Sequence, residues 1–245
     1  MEATQQPTAD RLLGDIVSDD LRTATIFERF GLDYCCNGQR TLREACQARS
    51  IPAADVVAAL DTLGVPTEDD RLPAEWHALD ALTRHIVQHH HHYVTTSIPA
   101  INQSLDKLVS VHGDRHPELR DLRAVFRSLG DELLTHLQKE ENLLFPAIDE
   151  MARAQRGDTS TGPGMFATVL HPVRVMEEDH HEAGQLLARL RDLSGGNFEP
   201  PADACNTYRA CFAELRRFED DLHRHIHLEN NVLFPRALDL ERTLG

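Results

Sequence analysis

The chain has 245 residues, and its 25 lysine and arginine side chains stand against 40 aspartates and glutamates, a formal net charge of −15 with histidine neutral. This acidic balance disfavours binding to nucleic acid or to an anionic membrane and suits a protein that handles cations. No segment approaches the roughly 20 apolar residues of a membrane span, and no signal-peptide pattern precedes the first helix. Five cysteines, of which Cys35 and Cys36 are adjacent, make a poor disulfide framework. The sequence therefore predicts a cytoplasmic protein.

Apolar residues recur at three- and four-residue steps along almost the whole chain, which is typical of amphipathic helices, so we predict an all-α fold. Residues 1–65 are expected to form a small domain of three short helices that carries the adjacent cysteines. A capping box from Thr41 to Glu44 is predicted to open the second of these helices, and Ser50 precedes the third. The polar, proline-bracketed residues 66–74 are predicted to be a linker.

Residues 75–245 contain four long helical patterns, with breaks predicted near 111–114, across 157–172 and at 194–201. Helices of this length with short connections favour an antiparallel four-helix bundle. The patterns form two copies of one hairpin, since each marked residue of the second copy lies 89 positions after its counterpart. The matched pairs are His91 with His180, His136 with His225, Glu140 with Glu229, and Phe145-Pro146 with Phe234-Pro235. A repeated hairpin with the same inward polar residues is what a pseudo-symmetric two-metal site needs.

The helical phase predicts that all six of these histidines and glutamates face the core, because each falls on an apolar stripe. On the second helix the stripe is Leu122, Phe126, Leu129, Leu133, His136, Glu140 and Leu143. A single histidine on such a stripe is more often a hydrogen-bonded core residue than a metal ligand. Four histidines at matched spacing, together with two inward glutamates, favour metal binding instead. A buried carboxylate needs a proton, a charged partner or a metal ion.

For the other histidines of the bundle, the polarity of residues three and four positions away indicates whether the side chain lies on the surface. His92 and His181 have polar residues three and four positions away, which predicts that they lie on the surface. The pattern leaves His90, His223 and His227 unassigned, either at the surface or around the metal ligands.

Two His-x-x-x-Glu pairs and two further histidines supply four nitrogen ligands and two carboxylates. Zinc prefers a closed tetrahedron of four ligands, whereas imidazole and carboxylate ligands inside a bundle fit iron or manganese. We therefore predict two non-haem iron ions, each with two histidines, and with Glu140 and Glu229 as bridges. This arrangement leaves room for an oxo or hydroxo bridge and for an exogenous ligand such as oxygen, peroxide or nitric oxide.

Several motifs resemble those of the RIC family, the di-iron, hemerythrin-like proteins of the repair of iron centres. They are Asp33 to Gly38, Val111-His112-Gly113 with His116-Pro117, Met176 to His180, Ala204-Cys205, and Leu228 to Pro235, and the likeness runs from about Gly14 to Leu238. The resemblance implies a small cysteine-bearing domain followed by a hemerythrin-like bundle. It also implies repair of iron–sulfur clusters after oxidative or nitrosative damage, with the six residues of the repeat as iron ligands. The sequence departs from the family pattern at Asn37, at Cys46 and in the extra histidines around His91.

The pair Cys35 and Cys36 admits two interpretations. Adjacent cysteines do not match the Cys-x-x-Cys spacing of zinc and redox sites, and small buried thiols are the plainer interpretation. Gly31 and Gly38 flank the pair, however, and indicate a turn. The resemblance implies that the two thiols act in repair, by handling iron, nitrosyl groups or electrons.

The leading hypothesis is a stress-response protein that acts on damaged iron–sulfur proteins, by donating iron or reducing equivalents or by removing nitric oxide. One alternative is a nitric oxide or peroxide reductase, and another is a hemerythrin-like sensor of oxygen or nitric oxide. The fused cysteine domain favours repair over simple carriage. The sequence leaves open the client proteins, the electron donor, the formation of a homodimer, and the roles of Cys46, Cys205 and Cys211.

Overall fold

The structure, a computed structural model, describes residues 7–158 and 168–244, and these residues are helical nearly throughout. The helices are α1 (Leu13–Asp19), α2 (Thr23–Phe30), α3 (Leu42–Ala48), α4 (Ala53–Asp61), α5 (Leu79–Ile86), α6 (His92–His112), α7 (Glu118–Lys139), α8 (Phe145–Gln155), α9 (Leu170–Leu193), α10 (Asn206–His227) and α11 (Phe234–Leu244). Within these ranges the only β pairing is an isolated bridge between Leu12 and Thr41. The all-α prediction is confirmed. No helix of the described chain is both long enough and apolar enough to cross a membrane.

The described N-terminal segment contains four helices, and the prediction of three was wrong because the first helical pattern is interrupted. Asp20 has an extended backbone at the end of α1, and its side chain accepts hydrogen bonds from the backbone N–H and the guanidinium of Arg22. The predicted capping box is present at α3. There the hydroxyl of Thr41 accepts from the N–H of Glu44 at 3.2 Å, and the Glu44 carboxylate accepts from the N–H of Thr41 at 2.9 Å. Helix α4 begins directly after Pro52.

Residues 66–74, the predicted linker, are bound to the N-terminal segment. The carbonyl of Asp70 accepts a hydrogen bond from the N–H of Leu21 at 2.7 Å. Short 3₁₀ turns at Glu68–Asp70 and Ala74–His77 lead into α5. The boundaries of the two domains stay predictions, because one apolar core runs across them.

Four long helical rods form the antiparallel bundle, and three of them consist of two α-helices joined without a break by a π-helical segment. The π-helical segments are Val87–His91 between α5 and α6, Glu140–Leu144 between α7 and α8, and Leu228–Leu233 between α10 and α11. Helix α7 packs against α6 and α9, and α6 also packs against α10. The third rod, α9, begins at Leu170 and holds Pro172 in its first turn, so the break predicted at 157–172 is shorter than expected. Residues 159–167 of that break lie outside the described residues.

The apolar core has two parts that adjoin at the level of the candidate ligands. One part joins the N-terminal helices to α6, α7, α9 and α10 and includes Phe27, Phe126 and Phe218. The other part includes Ile86 of α5 and Ile148 of α8. Along each rod the buried histidines and glutamates lie where one part ends and the other begins.

Candidate metal centre

Six buried side chains meet where the two parts of the core adjoin. They are His91 at the end of the first π-helical segment, His136 in the last turn of α7, Glu140 at the start of the second π-helical segment, His180 in the middle of α9, His225 in the last turn of α10, and Glu229 in the third π-helical segment. Each exposes at most 3 % of its surface. These are the six residues that the repeat indicates, and the structure brings all of them together.

The six side chains form two groups of four, and both groups contain both glutamates. One group adds His91 and His225, and the other adds His136 and His180. The nitrogen–oxygen distances are 3.4 Å from His91 Nε2 to Glu140 Oε2, 3.3 Å from His136 Nε2 to Glu140 Oε2, 3.1 Å from His180 Nε2 to Glu229 Oε2, and 3.0 Å from His225 Nε2 to Glu229 Oε1. Within each group the potential ligand atoms lie within 4.8 Å of one another. Two adjacent cations, each with two imidazoles and with both carboxylates between them, fit this arrangement.

Several atoms at the middle of the cluster lack hydrogen bonds. Both carboxylate oxygens of Glu140, Oε2 of Glu229 and Nε2 of His91 are buried, and among the described residues none of them makes a hydrogen bond. The imidazole nitrogens that approach the two carboxylates at 3.1 to 3.4 Å do not have hydrogen-bond geometry. Burying a carboxylate in this way is costly unless a cation lies beside it. Cations at the centre would satisfy these atoms together, so the side chains present fit a metal site.

Burial and the two carboxylates set the electrostatics of the cluster. Burial lowers the pKa of His91, but the facing Glu140 and Glu229 outweigh it and raise the pKa to about 10. The pKa of His136 is also raised to about 10, because Glu140 and Asp179 outweigh burial. Burial and the neighbouring Glu229 act to raise the pKa of Glu140, but His136 and His91 hold it below its usual value. In the absence of a cation, imidazolium groups therefore balance the buried carboxylates.

The outer nitrogens of two of the histidines contact side chains that follow the same repeat. Nδ1 of His91 lies 2.8 Å from Glu141 Oε1, and Nδ1 of His180 lies 2.8 Å from Asn230 Oδ1. Glu141 and Asn230 are themselves 89 positions apart. Contacts of this kind fix the tautomer and the orientation of a ring, so that Nε2 faces the carboxylates.

The other two histidines break the symmetry. Nδ1 of His136 lies 3.2 Å from Asp179 Oδ2, and the repeat places His90 at the position equivalent to Asp179. The ring of His90 stacks on His225, with centroids 5.4 Å apart, and its Nδ1 lies 3.0 Å from Asp221 Oδ1. Nδ1 of His225 thus has no hydrogen-bond partner in the part of the chain that the structure describes. The two halves of the cluster are related by the repeat but are not equivalent.

The second π-helical segment corrects one part of the predicted stripe. Leu143, expected in the core, is 42 % exposed, and Leu144 is buried in its place. A π-helical turn adds one residue to the helix, so the side chains after Glu140 lie one position later than in an α-helix. The prediction for Leu143 was wrong because the pattern assumes an unbroken α-helix.

Of the other histidines near the cluster, His92 and His181 are exposed, as predicted. His90 and His227 are buried, and His223 is half-buried. The signal that identifies His90 is its place in the repeat. The burial of His227 results from contact with the N-terminal segment, which a helical pattern does not reveal.

Cys35 and Cys36 lie on a loop of the N-terminal segment that contacts α9 and the third π-helical segment. Their sulfurs are 3.8 Å apart, and Cys35 Sγ lies 3.3 Å from Asp33 Oδ1. Cys36 Sγ lies 3.6 Å from the carbonyl oxygen of His180, so the thiol pair adjoins the backbone of the cluster. Cys35 is buried and Cys36 is half-buried, and all five cysteines of the chain are free thiols.

Two adjacent asparagines connect this loop to the bundle. Asn230 donates from Nδ2 to the carbonyl of Cys35 at 3.2 Å, while its Oδ1 faces Nδ1 of His180. Asn231 donates to the same carbonyl at 3.1 Å. A Cβ at Gly38 would lie 2.0 Å from Oδ1 of Asn231, so glycine is required for the loop to approach this closely. Neither contact was predicted, because each joins parts of the chain that are distant in sequence.

A family model matches the part of the chain that carries the cluster. The model of the hemerythrin HHE cation binding domain matches residues 82–237, which include all six residues. The chain belongs to the hemerythrin HHE family. A second model, ScdA_N, a domain of unknown function, matches residues 9–64, which include Cys35 and Cys36.

Curated proteins similar to this member of the hemerythrin HHE family match it over nearly its whole length. The iron-sulfur cluster repair protein YtfE of Enterobacter sp. (strain 638) is 33% identical over 231 residues, which cover 94% of this chain and 97% of that protein. The protein of the same name from Musicola paradisiaca (strain Ech703) is 36% identical over 231 residues, with coverage of 94% and 96%. That from Escherichia coli O17:K52:H18 (strain UMN026 / ExPEC) is 33% identical over 230 residues, with coverage of 94% and 97%. These similarities confirm the resemblance to the RIC family.

Proposed function

We propose that this member of the hemerythrin HHE family holds two non-haem iron ions and repairs iron–sulfur clusters damaged by oxidative or nitrosative stress. The observation that carries the proposal is the pair of buried groups that share Glu140 and Glu229. Neither group contains a cysteine, and imidazole with carboxylate inside a bundle suits iron better than a closed zinc tetrahedron. The names of relatives that match 94% of the chain support cluster repair as the task.

Each iron would be held by two imidazole nitrogens and by the two shared carboxylates. His91 and His225 would bind one ion, and His136 and His180 would bind the other. Bound iron supplies a centre that changes oxidation state and can be given up to a damaged cluster. The part of the protein is to orient the rings through their outer nitrogens and to exclude water with the apolar side chains on both sides. Cys35 and Cys36 would act in repair, since the pair adjoins the backbone of His180.

Damaged iron–sulfur proteins would be the clients, and nitric oxide, oxygen or peroxide would be the small ligands of the centre. The net charge of −15 supports the handling of cations and disfavours nucleic acid as a partner. Five free thiols support a reducing compartment such as the cytoplasm. A homodimer is not required to complete the centre, because one chain supplies all six proposed ligands.

Iron analysis with Mössbauer spectroscopy on freshly purified protein tests the metal assignment. We expect close to two coupled irons per chain. Glu140→Gln and Glu229→Gln should each disturb both ions, because each carboxylate belongs to both groups. The matched control is Asp179→Asn, which changes a carboxylate that belongs to neither group and contacts the outer nitrogen of His136 and the ammonium group of Lys139. This variant should weaken iron binding on the order of 10- to 100-fold without removing the pair. One tetrahedral zinc and no iron, after growth in iron-rich medium, would overturn the assignment.

An iron–sulfur enzyme whose cluster has been damaged by nitric oxide tests the repair function. The unmodified protein should restore its activity. The double variant Cys35→Ser, Cys36→Ser should keep its iron but restore activity more slowly, whereas Cys205→Ser, which removes an exposed thiol elsewhere, should match the unmodified protein. Turnover of nitric oxide or peroxide without recovery of the damaged enzyme would favour a reductase instead.

A further inference from the structure

A second group of cation ligands lies outside the bundle, on the cysteine loop. A carboxylate oxygen of Asp33 and the sulfurs of Cys35 and Cys36 lie within 4.8 Å of one another. The sulfurs are 3.8 Å apart, which is far beyond a disulfide bond of about 2.05 Å. The separation is instead close to that of two sulfurs that bind one tetrahedral ion at about 2.3 Å each. Asp33 Oδ1, at 3.3 Å from Cys35 Sγ, fits a third ligand of the same ion.

The loop holds these side chains in this arrangement by its own hydrogen bonds. Oδ1 of Asp33 accepts from the N–H of Cys36 at 2.9 Å, and Oδ2 accepts from the side-chain amide of Asn37. Asn231 of the bundle donates to the carbonyl of Cys35 at 3.1 Å. The three ligand atoms are therefore positioned before an ion arrives, which reduces the cost of ordering them.

A cavity of about 440 Å³ adjoins the three side chains and gives access to a fourth coordination position. Its wall includes His223, whose Nδ1 is buried and has no hydrogen-bond partner in the described ranges. Carboxylates outnumber guanidinium groups around the cavity, so its charge favours a cation. These groups are Glu28, Asp33, Asp192 and Glu219, against Arg49 and Arg191.

We propose that Asp33, Cys35 and Cys36 bind one thiophilic divalent cation, such as Fe²⁺, Zn²⁺ or Co²⁺, at a site separate from the bundle centre. Binding replaces two S–H bonds by two metal–sulfur bonds and releases both protons to solvent, with no change in oxidation state. The fourth position faces the cavity, where an exchangeable ligand completes the tetrahedron. In the proposed repair function this cation is iron that passes between the protein and a damaged cluster. Only this identification of the cation as iron rests on the proposed function.

Titration of the full-length, iron-loaded protein with Co²⁺ tests this site. We expect one equivalent of Co²⁺ to produce a thiolate-to-cobalt charge-transfer band and to show two sulfur neighbours in X-ray absorption at the cobalt edge. Cys35→Ser and Cys36→Ser should each weaken Co²⁺ binding on the order of tenfold or more. Asp33→Asn should weaken binding while two sulfur neighbours remain.

Two other thiols provide matched controls. Cys205→Ser removes an exposed thiol and Cys46→Ser removes a buried thiol of the N-terminal segment, and both should leave the titration unchanged. Cobalt without sulfur neighbours, or a band that Cys205→Ser removes and Cys35→Ser retains, would overturn the proposal. The sulfur count is measured on the unmodified chain, so it does not depend on the folding of any variant. Iron content and the Mössbauer spectrum of the same sample show separately whether the bundle centre is present.

Discussion

His89 to His92 form a tract of four consecutive histidines, and two neighbours within it have opposite environments. His91 is 1 % exposed and its Nε2 faces Glu140, while His92 is exposed. We expect His91→Ala to lower the iron content and His92→Ala to leave it unchanged, because only the first removes a nitrogen from the cluster. Iron analysis of the two purified variants measures the difference. A loss of iron in His92→Ala alone would mean that this helix is rotated by one residue relative to the structure.

Glu28 is a half-buried carboxylate away from the bundle centre, and it makes stability depend on pH. Burial and the charge of Asp220 raise its pKa from 4.5 to about 6, although the hydroxyl of Tyr34 donates to it at 3.1 Å. The other charged or titratable groups around it are Glu219, Arg191, Arg224 and His223. The folded protein thus binds this proton more tightly than the unfolded chain. Ionisation of Glu28 therefore destabilises the fold progressively as the pH rises from about 4.5 to 6, and the loss is complete above that range.

Glu28→Gln should remove this pH-dependent loss. We expect the free energy of unfolding of the metal-free protein to rise by about 1 kcal/mol at pH 8 and to change little at pH 4, where the carboxyl is protonated in both states. The amide oxygen of glutamine can still accept from Tyr34. Urea unfolding at the two pH values measures the difference. An equal gain at both would show that the carboxylate charge is not its origin.

The six residues of the cluster could be predicted from the sequence because a repeat with a fixed offset places equivalent side chains on equivalent helix faces. The contacts of Asn230 could not be predicted, since they depend on which segments pack together. His90 looks like one more histidine of a surface tract. Its burial becomes apparent only when the repeat is extended to residues that contact the outer nitrogens, where His90 matches Asp179.

At the level of the helices, the three π-helical segments all lie beside the cluster. His91 ends one segment, Glu140 begins another, and Glu229 lies in the third. A π-helical turn is equivalent to the insertion of one residue into an α-helix. The α-helices before and after it therefore keep their own buried faces, although the sequence pattern shifts by one residue between them. The sequence predicts the long helices and their buried faces. It does not predict the insertions, because the residues of these turns do not differ in kind from those of an ordinary helix.

Deletion of Leu143 should therefore be tolerated. Its side chain is 42 % exposed, and its removal converts the π-helical turn to α-helix while the helices on both sides keep their packing. The matched control is deletion of Ser128, an exposed residue inside α7, which would rotate His136 and Glu140 by about 100° relative to the start of the helix. We expect the first variant to melt cooperatively and the second to lose its cooperative transition, as followed by circular dichroism. Similar loss in both variants would contradict the one-residue insertion.

For the molecule as a whole, the N-terminal segment and the bundle share one apolar core. Phe27 and Leu42 belong to the same buried cluster as Leu222 and Ile226. The sequence predicted a helical segment and a linker, but it did not predict that the N-terminal segment and the bundle share a core. A helical period identifies the buried face of each helix and carries no information about which element covers it.

A fragment that begins at Arg71 would keep all six cluster residues and lose this cover. We expect it to bind iron but to melt at least about 10 °C below the full chain, because buried apolar side chains of α10 become exposed. Thermal unfolding of both iron-loaded forms measures the difference, and iron analysis separates a loss of stability from a loss of the site. Equal melting temperatures would show that the N-terminal segment does not stabilise the bundle.

Asn230 spans the thiol loop and the bundle with a single side chain, which donates to the carbonyl of Cys35 and faces Nδ1 of His180. If a cation binds the thiols and an iron binds His180, this side chain would couple the two sites, and thermodynamic linkage requires that each ion then change the affinity of the other by the same factor. We expect Co²⁺ to bind the thiol site of iron-free and iron-loaded protein with different affinities, and Asn230→Ala to abolish the difference. Asn231→Ala, which loses a contact with the loop but none with His180, should preserve it. Equal affinities in the unmodified chain would mean that the two sites are energetically independent although one side chain touches both.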